Sequence, residues 1–228
     1  MNELCNYTID EDNILEKEQE VDINLSYLKV KRLFDILFGL LGIIALIPMS
    51  IIIFIINILN KDYSSIFYTH TRIGKNGEEF KLYKFRSMVP NADEVLKKLL
   101  KQKKYKKEWN KNQKLDNDPR ITKIGKILRK TSLDEFPQFI NVLKGDMSLI
   151  GPRPLVKGEL DKHNGDHSIY ERIKPGITGW WACNGRSDTT YEKRLELEYY
   201  YVENVSLWLD IKCILLTIKS IISKSGAK

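Results

Sequence analysis

Cysteine is scarce in this chain of 228 residues, and its few copies form no recognisable pattern. The three cysteines, Cys5, Cys183 and Cys213, are odd in number and widely spaced. That spacing excludes a disulfide framework and the paired ligands of a structural zinc site. We therefore expect a protein of a reducing compartment.

Histidine is equally sparse, and the chain has three copies. His163 and His167 are separated as metal ligands on one helix turn would be. Asn164-Gly165 lies between them, however, and predicts a break in that helix. We do not expect a metal at these histidines.

The N-terminal segment lacks the features of a signal peptide. Residues 1–25 hold eight acids and one lysine, although the whole chain has a formal net charge of +7. There is no basic start and no small-residue cleavage site. The acids follow no clear apolar period, so we predict that residues 1–27 form a flexible or loosely helical tail.

Residues 36–60 contain no charged side chain. As a straight helix they would reach ~37 Å, enough for a hydrocarbon core of ~30 Å. Pro48 at the centre removes a helix hydrogen bond, and lysines and arginines flank both ends rather than one. Within a membrane segment predicted at residues 28–62, a spanning helix and a re-entrant helix broken near Pro48 both stay open.

We predict that the rest of the chain, residues 63–228, is a catalytic region. Its predicted hairpin and helices make the fold α+β and mostly helical. Residues 66–88 predict a β-hairpin with a type I′ turn at Asn76-Gly77. Residues 97–114 hold nine lysines and one glutamate. This composition favours a solvated helix face near anionic lipid headgroups over a binding site for nucleic acid. Residues 206–224 predict an amphipathic helix, either in the core or in the membrane interface.

The stretch "TSLDEFPQFINVLKGDMSLIGPRP" places an acidic pair before a rigid arginine. Ser132 and Glu135 match a capping box, so Asp134 and Glu135 have a helix-capping explanation. Arg153 lies between two prolines, which suits bidentate phosphate binding. Carboxylates among such arginines can hold Mg²⁺ or attack phosphorus, which is the competing explanation.

Two further segments have nucleotide-related patterns. The stretch "KPGITGWWACNGR" is glycine-rich and contains adjacent tryptophans, so it is either a structural loop or a nucleotide cradle. Asp116 and Asp118 match the Asp-x-Asp pattern of metal-dependent nucleotide-sugar glycosyltransferases. That match rests on two residues in a polar loop and is the weaker signal.

Four motifs together resemble the bacterial sugar transferases of the monotopic phosphoglycosyl transferase superfamily. They are "KRLFDILFGLLGIIALIPMS", "FKLYKFRSM", "NDPRITKIGKILRKTSLDEFPQFINVLKGDMSLIGPRP" and "KPGITGW…NGR", in the family's order. The resemblance implies transfer of a sugar 1-phosphate from a UDP-sugar to undecaprenyl phosphate, with release of UMP. It also implies Mg²⁺, a covalent aspartyl phosphosugar, a re-entrant helix broken near Pro48, and interfacial amphipathic helices. Such enzymes begin capsule, exopolysaccharide or other glycan assembly at the cytoplasmic face of the bacterial inner membrane.

The resemblance also implies roles for individual residues. Asp134 matches the nucleophile and metal contact, Glu135 its partner, and Arg153 the arginine at the phosphates. The expected basic residues near the site are Arg129, Arg186, Lys84 and Arg86. The expected nucleotide loop comprises Pro175, Gly176, Thr178, Gly179, Trp180, Asn184 and Gly185. Relatives often have Gln-Val where this chain has Ala182-Cys183, so a contact from that glutamine is not expected here.

The expected partners are a UDP-sugar, undecaprenyl phosphate and the bilayer, without nucleic acid; a homodimer stays open. Two other functions compete with the phosphoglycosyl transferase prediction. One is a glycosyltransferase built on Asp116 and Asp118, which would release UDP instead of UMP. The other is a non-enzymatic membrane-surface binder that uses the lysine run.

Overall fold

A computed structural model describes residues 24–112, 115–185 and 189–222 of the chain. The prediction of a mostly helical fold with a small hairpin is confirmed. The helices are α1 (Leu25–Leu59), α2 (Ala92–Leu99), α3 (Lys103–Asn112), α4 (Lys123–Lys130), α5 (Gln138–Lys144), α6 (His167–Tyr170), α7 (Trp180–Cys183), α8 (Tyr191–Glu203) and α9 (Leu207–Ile222). The strands are β1 (Phe67–Ile73), β2 (Glu79–Phe85), β3 (Ser148–Ile150) and β4 (Gly176–Thr178).

Helix α1 contains the uncharged segment and continues through Pro48. Asn24 caps its start, because its side-chain oxygen accepts from the Ser26 N–H at 2.8 Å. Within the described residues it is the one helix long and apolar enough to cross a membrane. The helix is therefore not interrupted near Pro48, where a break was expected. The re-entrant path through the membrane stays a prediction.

One stripe of α1 packs against the rest of the molecule while most of its other residues are exposed and apolar. Gly39 and Gly42 bring α1 close to α5. A Cβ at Gly42 would lie 2.3 Å from the ring of Phe139, and one at Gly39 would lie 2.7 Å from Leu143. The two glycines thus make room for bulky side chains of α5.

Polar groups fix the first turns of α1 to the folded body. Lys31 pairs with Asp210 of α9 at 2.7 Å. Arg32 donates to the carbonyls of Val142 and Leu143 at 2.6 and 2.8 Å, at the C-terminal end of α5 where cations are favoured. Asp35 accepts from the backbone N–H of Leu149 in β3 at 2.8 Å.

The predicted hairpin is confirmed. Strands β1 and β2 pair antiparallel from Phe67 opposite Phe85 to Ile73 opposite Glu79. Asn76 and Gly77 have φ of 57° and 75°, the positive values that a type I′ turn requires at both central positions. Asn141 of α5 then covers the other edge of β2, since it accepts from the Tyr83 N–H at 3.0 Å.

The predicted capping box at Ser132 is wrong. Ser132 adopts a left-handed conformation with φ of 56°, and its side chain makes no capping hydrogen bond. Residues Leu133–Glu135 form a 3₁₀ turn, and α5 begins only at Gln138. The reason is Pro137, which would fall inside the helix that the capping box predicts, where it cannot donate a hydrogen bond.

Helix α9 turns its predicted apolar face outward. Leu207, Ile211, Leu215 and Ile218 are exposed, as is Trp208. The opposite face is buried and carries Leu209, Asp210 and Cys213. The helix therefore packs on the body with one face and presents an uncovered apolar face with the other.

Candidate active site

An open cleft collects side chains from distant parts of the sequence. Its empty volume is about 530 Å³, counting the solvent at its mouth. Strand β2, the 3₁₀ turn, the loop after β3, strand β4 and helix α7 all contribute to its walls. The predicted site residues among its lining are Lys84, Glu135, Arg153, Gly176, Thr178 and Gly179.

The acidic pair lies in the 3₁₀ turn, where Glu135 lines the cleft and Asp134 is not among the lining residues. Glu135 forms an ion pair with Lys84 at 2.8 Å. Asp134 is half-buried, and its pKa is raised, chiefly by loss of solvent and also by Glu135, while the positive charges of Lys84 and Arg129 oppose the rise. The two adjacent carboxyl groups thus lie in a cationic environment.

Arg129 is held next to this pair by α4. Its Nε donates to the hydroxyl of Ser87 at 2.8 Å. Helix α4 approaches the segment after β2 so closely that a Cβ at Gly125 would lie 1.9 Å from the Ser87 carbonyl oxygen. The close packing explains the glycine in this helix and fixes the base of the arginine.

Arg153 is exposed to the cleft between two buried prolines, Pro152 and Pro154. Its guanidinium lies 5.9 Å from the ring centre of Trp181. Its backbone N–H donates to Glu198 at 3.0 Å, and its carbonyl accepts from the Tyr170 hydroxyl at 2.9 Å. The arginine head therefore projects from a fixed backbone.

The glycines of the predicted nucleotide loop serve strand packing. Strands β3 and β4 are parallel, and the Gly151 N–H donates to the Thr178 carbonyl at 2.9 Å. A Cβ at Gly176 would lie 2.1 Å from the Gly151 nitrogen, and one at Gly179 would lie 2.1 Å from the Gly151 oxygen. The close approach of the two backbones therefore explains these glycines, and it places β4 and Arg153 on the same cleft.

Several predicted residues lie away from the cleft lining. Arg86 pairs with Asp62 at 2.9 Å and donates to the Ser65 carbonyl, so it fastens the end of α1. Trp180 packs toward Tyr200, with ring centres 5.6 Å apart. The remaining loop residues outside the lining are Pro175, Asn184 and Gly185. Arg186 lies outside the described residues.

Among the lining residues that were not predicted as site residues, three carry a charged or amide side chain: Arg72, Gln138 and Glu198. Glu198 had a usable signal, because it falls on the buried stripe of α8 with Arg194, Leu195, Tyr201 and Val202. A glutamate on such a stripe needs a polar partner. Arg72 and Gln138 carry no comparable signal, since each reaches the cleft only through the folding of β1 and α5.

Side chains of the two competing metal-binding patterns make contacts with other protein groups. Both carboxylate oxygens of Asp118 accept from Arg120, at 2.6 to 3.1 Å. His167 contacts Asp161 and Glu171, and His163 stacks on Tyr191 with ring centres 3.4 Å apart. Across the described residues, no group of three or more histidine, cysteine or acidic side chains could hold a metal ion.

Mg²⁺ is compatible with the acidic pair through its donor chemistry. The ion usually takes one or two carboxylates and completes its octahedron with waters and substrate phosphates. Asp134 supplies such a carboxylate beside a cleft whose cationic side chains suit a diphosphate.

Comparison with known proteins places the chain in a family. The family described as "Bacterial sugar transferase" matches residues 26–224. The chain belongs to the bacterial sugar transferase family. This sugar transferase is 41% identical over 198 residues to the exopolysaccharide production protein ExoY of Sinorhizobium fredii, covering 86% of this chain and 87% of that relative.

Two other relatives are longer. The UDP-galactose-lipid carrier transferase of Erwinia amylovora is 45% identical over 199 residues, which are 87% of this chain and 41% of the relative. The undecaprenyl-phosphate galactose phosphotransferase of Salmonella typhimurium gives the same identity and coverage. This sugar transferase therefore spans less than half the length of these two relatives.

Proposed function

We propose that this sugar transferase moves a sugar 1-phosphate from a UDP-sugar to undecaprenyl phosphate and releases UMP. The observation that carries the proposal is the cleft itself. Its lining holds Glu135, the cation Lys84 and Arg153 with its fixed backbone. Asp134 is not among the lining residues, but it adjoins Glu135 in the chain and interacts with the charges of Lys84 and Arg129. This combination suits attack on a phosphorus atom whose oxygens need neutralising.

The reaction has two displacement steps. An oxygen of the Asp134 carboxylate attacks the β-phosphorus of the UDP-sugar, and the bond from that phosphorus to the bridging oxygen breaks. UMP leaves with the electron pair, and the sugar phosphate stays on Asp134. A phosphate oxygen of undecaprenyl phosphate then attacks the same phosphorus, and the Asp134 carboxylate leaves unchanged.

The cationic side chains lower the barrier by meeting the charge that develops on phosphate. Arg153 is suited to hold two phosphate oxygens at once, and Lys84 supplies a point charge beside Glu135. Asp134 would hold Mg²⁺, which when bound adds positive charge at the diphosphate. The raised pKa of Asp134 makes its carboxylate a stronger base than an exposed one, so activity should fall on the acid side as it becomes protonated.

The contacts of α1 support a path that enters and leaves one leaflet. Lys31 and Asp35 anchor its first half to α9 and β3. Just beyond its other end, Asp62 pairs with Arg86, which follows β2. These charged anchors belong to one folded body, and charges are costly in hydrocarbon. Both ends of α1 are thus proposed to lie on the cytoplasmic side of the inner membrane.

The exposed apolar face of α9 supports the same placement. Trp208 is 74% exposed and Leu215 61% exposed. An amphipathic helix with an uncovered apolar face and a tryptophan near its start suits the lipid interface. Since the acceptor is a polyprenyl lipid, this contact would keep the cleft at the membrane surface.

The names of the relatives suggest the first substrates to test. Two name galactose, and one from Aeromonas hydrophila is a UDP-N-acetylgalactosamine-undecaprenyl-phosphate N-acetylgalactosaminephosphotransferase. UDP-galactose and UDP-N-acetylgalactosamine are therefore the proposed first probes. Purified enzyme with undecaprenyl phosphate should release UMP from one of them.

The nucleotide product separates this proposal from a glycosyltransferase that uses Asp116 and Asp118. That enzyme would release UDP, and Asp116→Asn would then abolish turnover. We expect UMP, and we expect Asp116→Asn to retain activity while Asp134→Asn loses it. Release of UDP in amounts matching lipid glycosylation would overturn the proposal.

A further inference from the structure

Two buried side chains hold the backbone of Arg153 through hydrogen bonds. Its N–H donates to Oε1 of Glu198 at 3.0 Å, and its carbonyl accepts from the Tyr170 hydroxyl at 2.9 Å. Glu198 is 1% exposed and Tyr170 is 5% exposed, whereas Arg153 itself is open to the cleft. Two separate elements, α8 and α6, therefore hold one residue of the loop after β3.

The neighbouring prolines alone do not fix this residue. Each proline restricts its own φ, and Pro154 also biases Arg153 toward extended conformations. The orientation of the two peptide planes around Arg153 remains to be set, and the hydrogen bonds to its N–H and carbonyl do this. They thereby determine the direction in which the guanidinium leaves the backbone.

Arg194 and Trp181 form a second layer of contacts around Tyr170 and the Arg153 guanidinium. Arg194 donates to the Tyr170 hydroxyl at 3.5 Å and pairs with Glu159 at 3.3 Å. The Arg194 guanidinium lies 4.8 Å from the ring centre of Trp181, the same ring that Arg153 approaches. The support of Arg153 is thus continuous from α6 through α8 to α7.

We infer that Glu198 and Tyr170 are positioning residues, which present the Arg153 guanidinium to the diphosphate of the nucleotide-sugar in one orientation. This inference rests on the proposed function, because it assumes that Arg153 binds the diphosphate. Neither residue touches substrate in this role. Their effect passes through Arg153, so it should vanish when Arg153 is absent.

A double-mutant cycle tests that dependence directly. Tyr170→Phe removes one hydroxyl, and kcat/KM should fall on the order of a hundredfold, the effect of misplacing a binding group by ~1 Å. The affinity for UDP, measured by calorimetry, should fall by about three- to tenfold, as expected for one hydrogen bond. In an Arg153→Ala background, the same tyrosine change should alter either quantity less than about twofold.

Tyr199→Phe is the matched control for the loss of a tyrosine hydroxyl. Tyr199 donates to no group at Arg153, and its hydroxyl instead accepts from the Asp166 N–H at 2.5 Å. We expect near wild-type UDP affinity in this variant. Equal losses in Tyr199→Phe and Tyr170→Phe, or additive losses for Tyr170→Phe and Arg153→Ala, would show a general structural role and overturn the inference.

Glu198 provides an independent arm with a conservative rescue. Glu198→Ala removes the acceptor for the Arg153 N–H and should weaken UDP binding, whereas Glu198→Gln keeps an oxygen there and should restore most of it. Equal weakening in both variants would contradict positioning through that hydrogen bond. UDP binding is measured without turnover, so failure to detect UMP would count against the proposed function alone.

The dependence of UDP affinity on pH is a further readout, and a role of Glu198 in packing alone would not affect it. Burial raises the pKa of Glu198 to about 7, and the groups facing it are Arg153, Arg194, Tyr170 and Cys183. UDP affinity in the wild type should therefore change around pH 7. The terminal phosphate of UDP titrates near pH ~6 as well, so the readout is the difference in UDP affinity between the wild type and Glu198→Gln, which should change around pH 7. A difference that does not vary with pH would assign the change to another group.

Discussion

At the scale of single residues, the cleft differs from a simple charged surface in how each group is held. Glu135 is paired with Lys84, Asp134 is half-buried beside it, and Arg153 is fixed through its backbone. A side chain that is ordered before binding loses less conformational entropy when substrate arrives. Changes that preserve charge but alter geometry should therefore be costly here.

Arg153→Lys is the clearest case of a charge kept and a geometry lost. A lysine supplies one compact charge, whereas the guanidinium offers a planar fork to two phosphate oxygens. We expect kcat/KM to fall by about a hundredfold or more, by analogy with the loss of one donor to a developing oxyanion. Lys157→Arg, an exchange at an exposed position just beyond the loop, is the control. Wild-type kinetics in Arg153→Lys would place the arginine away from phosphate.

Glu198 should also shape how stability depends on pH. Burial raises its pKa from 4.5 to about 7, so the folded protein binds this proton more tightly than the unfolded chain does. Its contribution to the free energy of unfolding is therefore complete below pH ~4.5 and declines as pH rises to ~7. Denaturant titrations of Glu198→Gln should show a flatter curve in that window.

Glu196→Gln is the control for this measurement, because Glu196 lies on the exposed side of the same helix. Its curve should follow that of the wild type between pH 4.5 and 7. A Glu198→Gln curve identical to the wild-type curve would mean that Glu198 does not titrate in this range.

At the scale of elements, the account depends on how closely α1 packs against α5. Gly42 faces the ring of Phe139 with no room for a side chain. Gly42→Leu should therefore separate the helices or strain them, lowering the free energy of unfolding by ~1–3 kcal/mol, the usual range for overpacking. Thermal unfolding in detergent micelles, followed by circular dichroism, measures the effect.

Ala45→Leu serves as the matched control, because it adds bulk to an exposed position of the same helix. We expect little change in unfolding temperature there. Equal destabilisation by both substitutions would show that α1 is not held against α5 by this contact.

Several elements could be predicted from local sequence. The turn at Asn76-Gly77 depends on residues that tolerate positive φ, and the apolar face of α9 follows from helical spacing, so both were found. The capping pattern predicts a helix that starts after Ser132, whereas α5 starts at Gln138, because Pro137 cannot donate a hydrogen bond inside that helix. The contact of Arg86 with Asp62 could not be predicted, because Asp62 lies 24 residues earlier, beyond any local pattern.

The same limit applies to the cleft. Lys84 comes from one motif, and Glu135 and Arg153 come from another. The approach of Lys84 to the other two was expected only through the family resemblance. Glu198 is 45 residues from the Arg153 backbone that it holds, and Tyr170 is 17 residues from it. Such support depends on tertiary packing, so the sequence identified the groups proposed to act on substrate better than the groups that orient them.

At the scale of the whole molecule, the placement of both ends of α1 on one side of the membrane is testable by chemical labelling. Lys29 and Tyr63 are exposed near the two ends of the helix. Single cysteines at these positions, in a chain without its native cysteines, should resist a membrane-impermeant maleimide while the inner membrane is intact. Both should react after permeabilisation.

A spanning helix gives a different labelling pattern. One of the two cysteines would then react before permeabilisation and the other would not. That outcome would contradict the same-leaflet path, although it would leave the chemistry of the cleft untouched.

The central claim is that the sugar phosphate passes through Asp134, and capture of the label tests it most directly. Purified enzyme is incubated with a UDP-sugar carrying ³²P in its β-phosphate, without undecaprenyl phosphate, and the protein is then precipitated. We predict that wild-type protein carries label in an amount that matches the UMP released. Addition of undecaprenyl phosphate before precipitation should remove this label from the protein. Asp134→Asn should carry none, because an amide cannot replace the carboxylate as nucleophile. Equal labelling of Asp134→Asn, or efficient lipid labelling by that variant, would contradict the account.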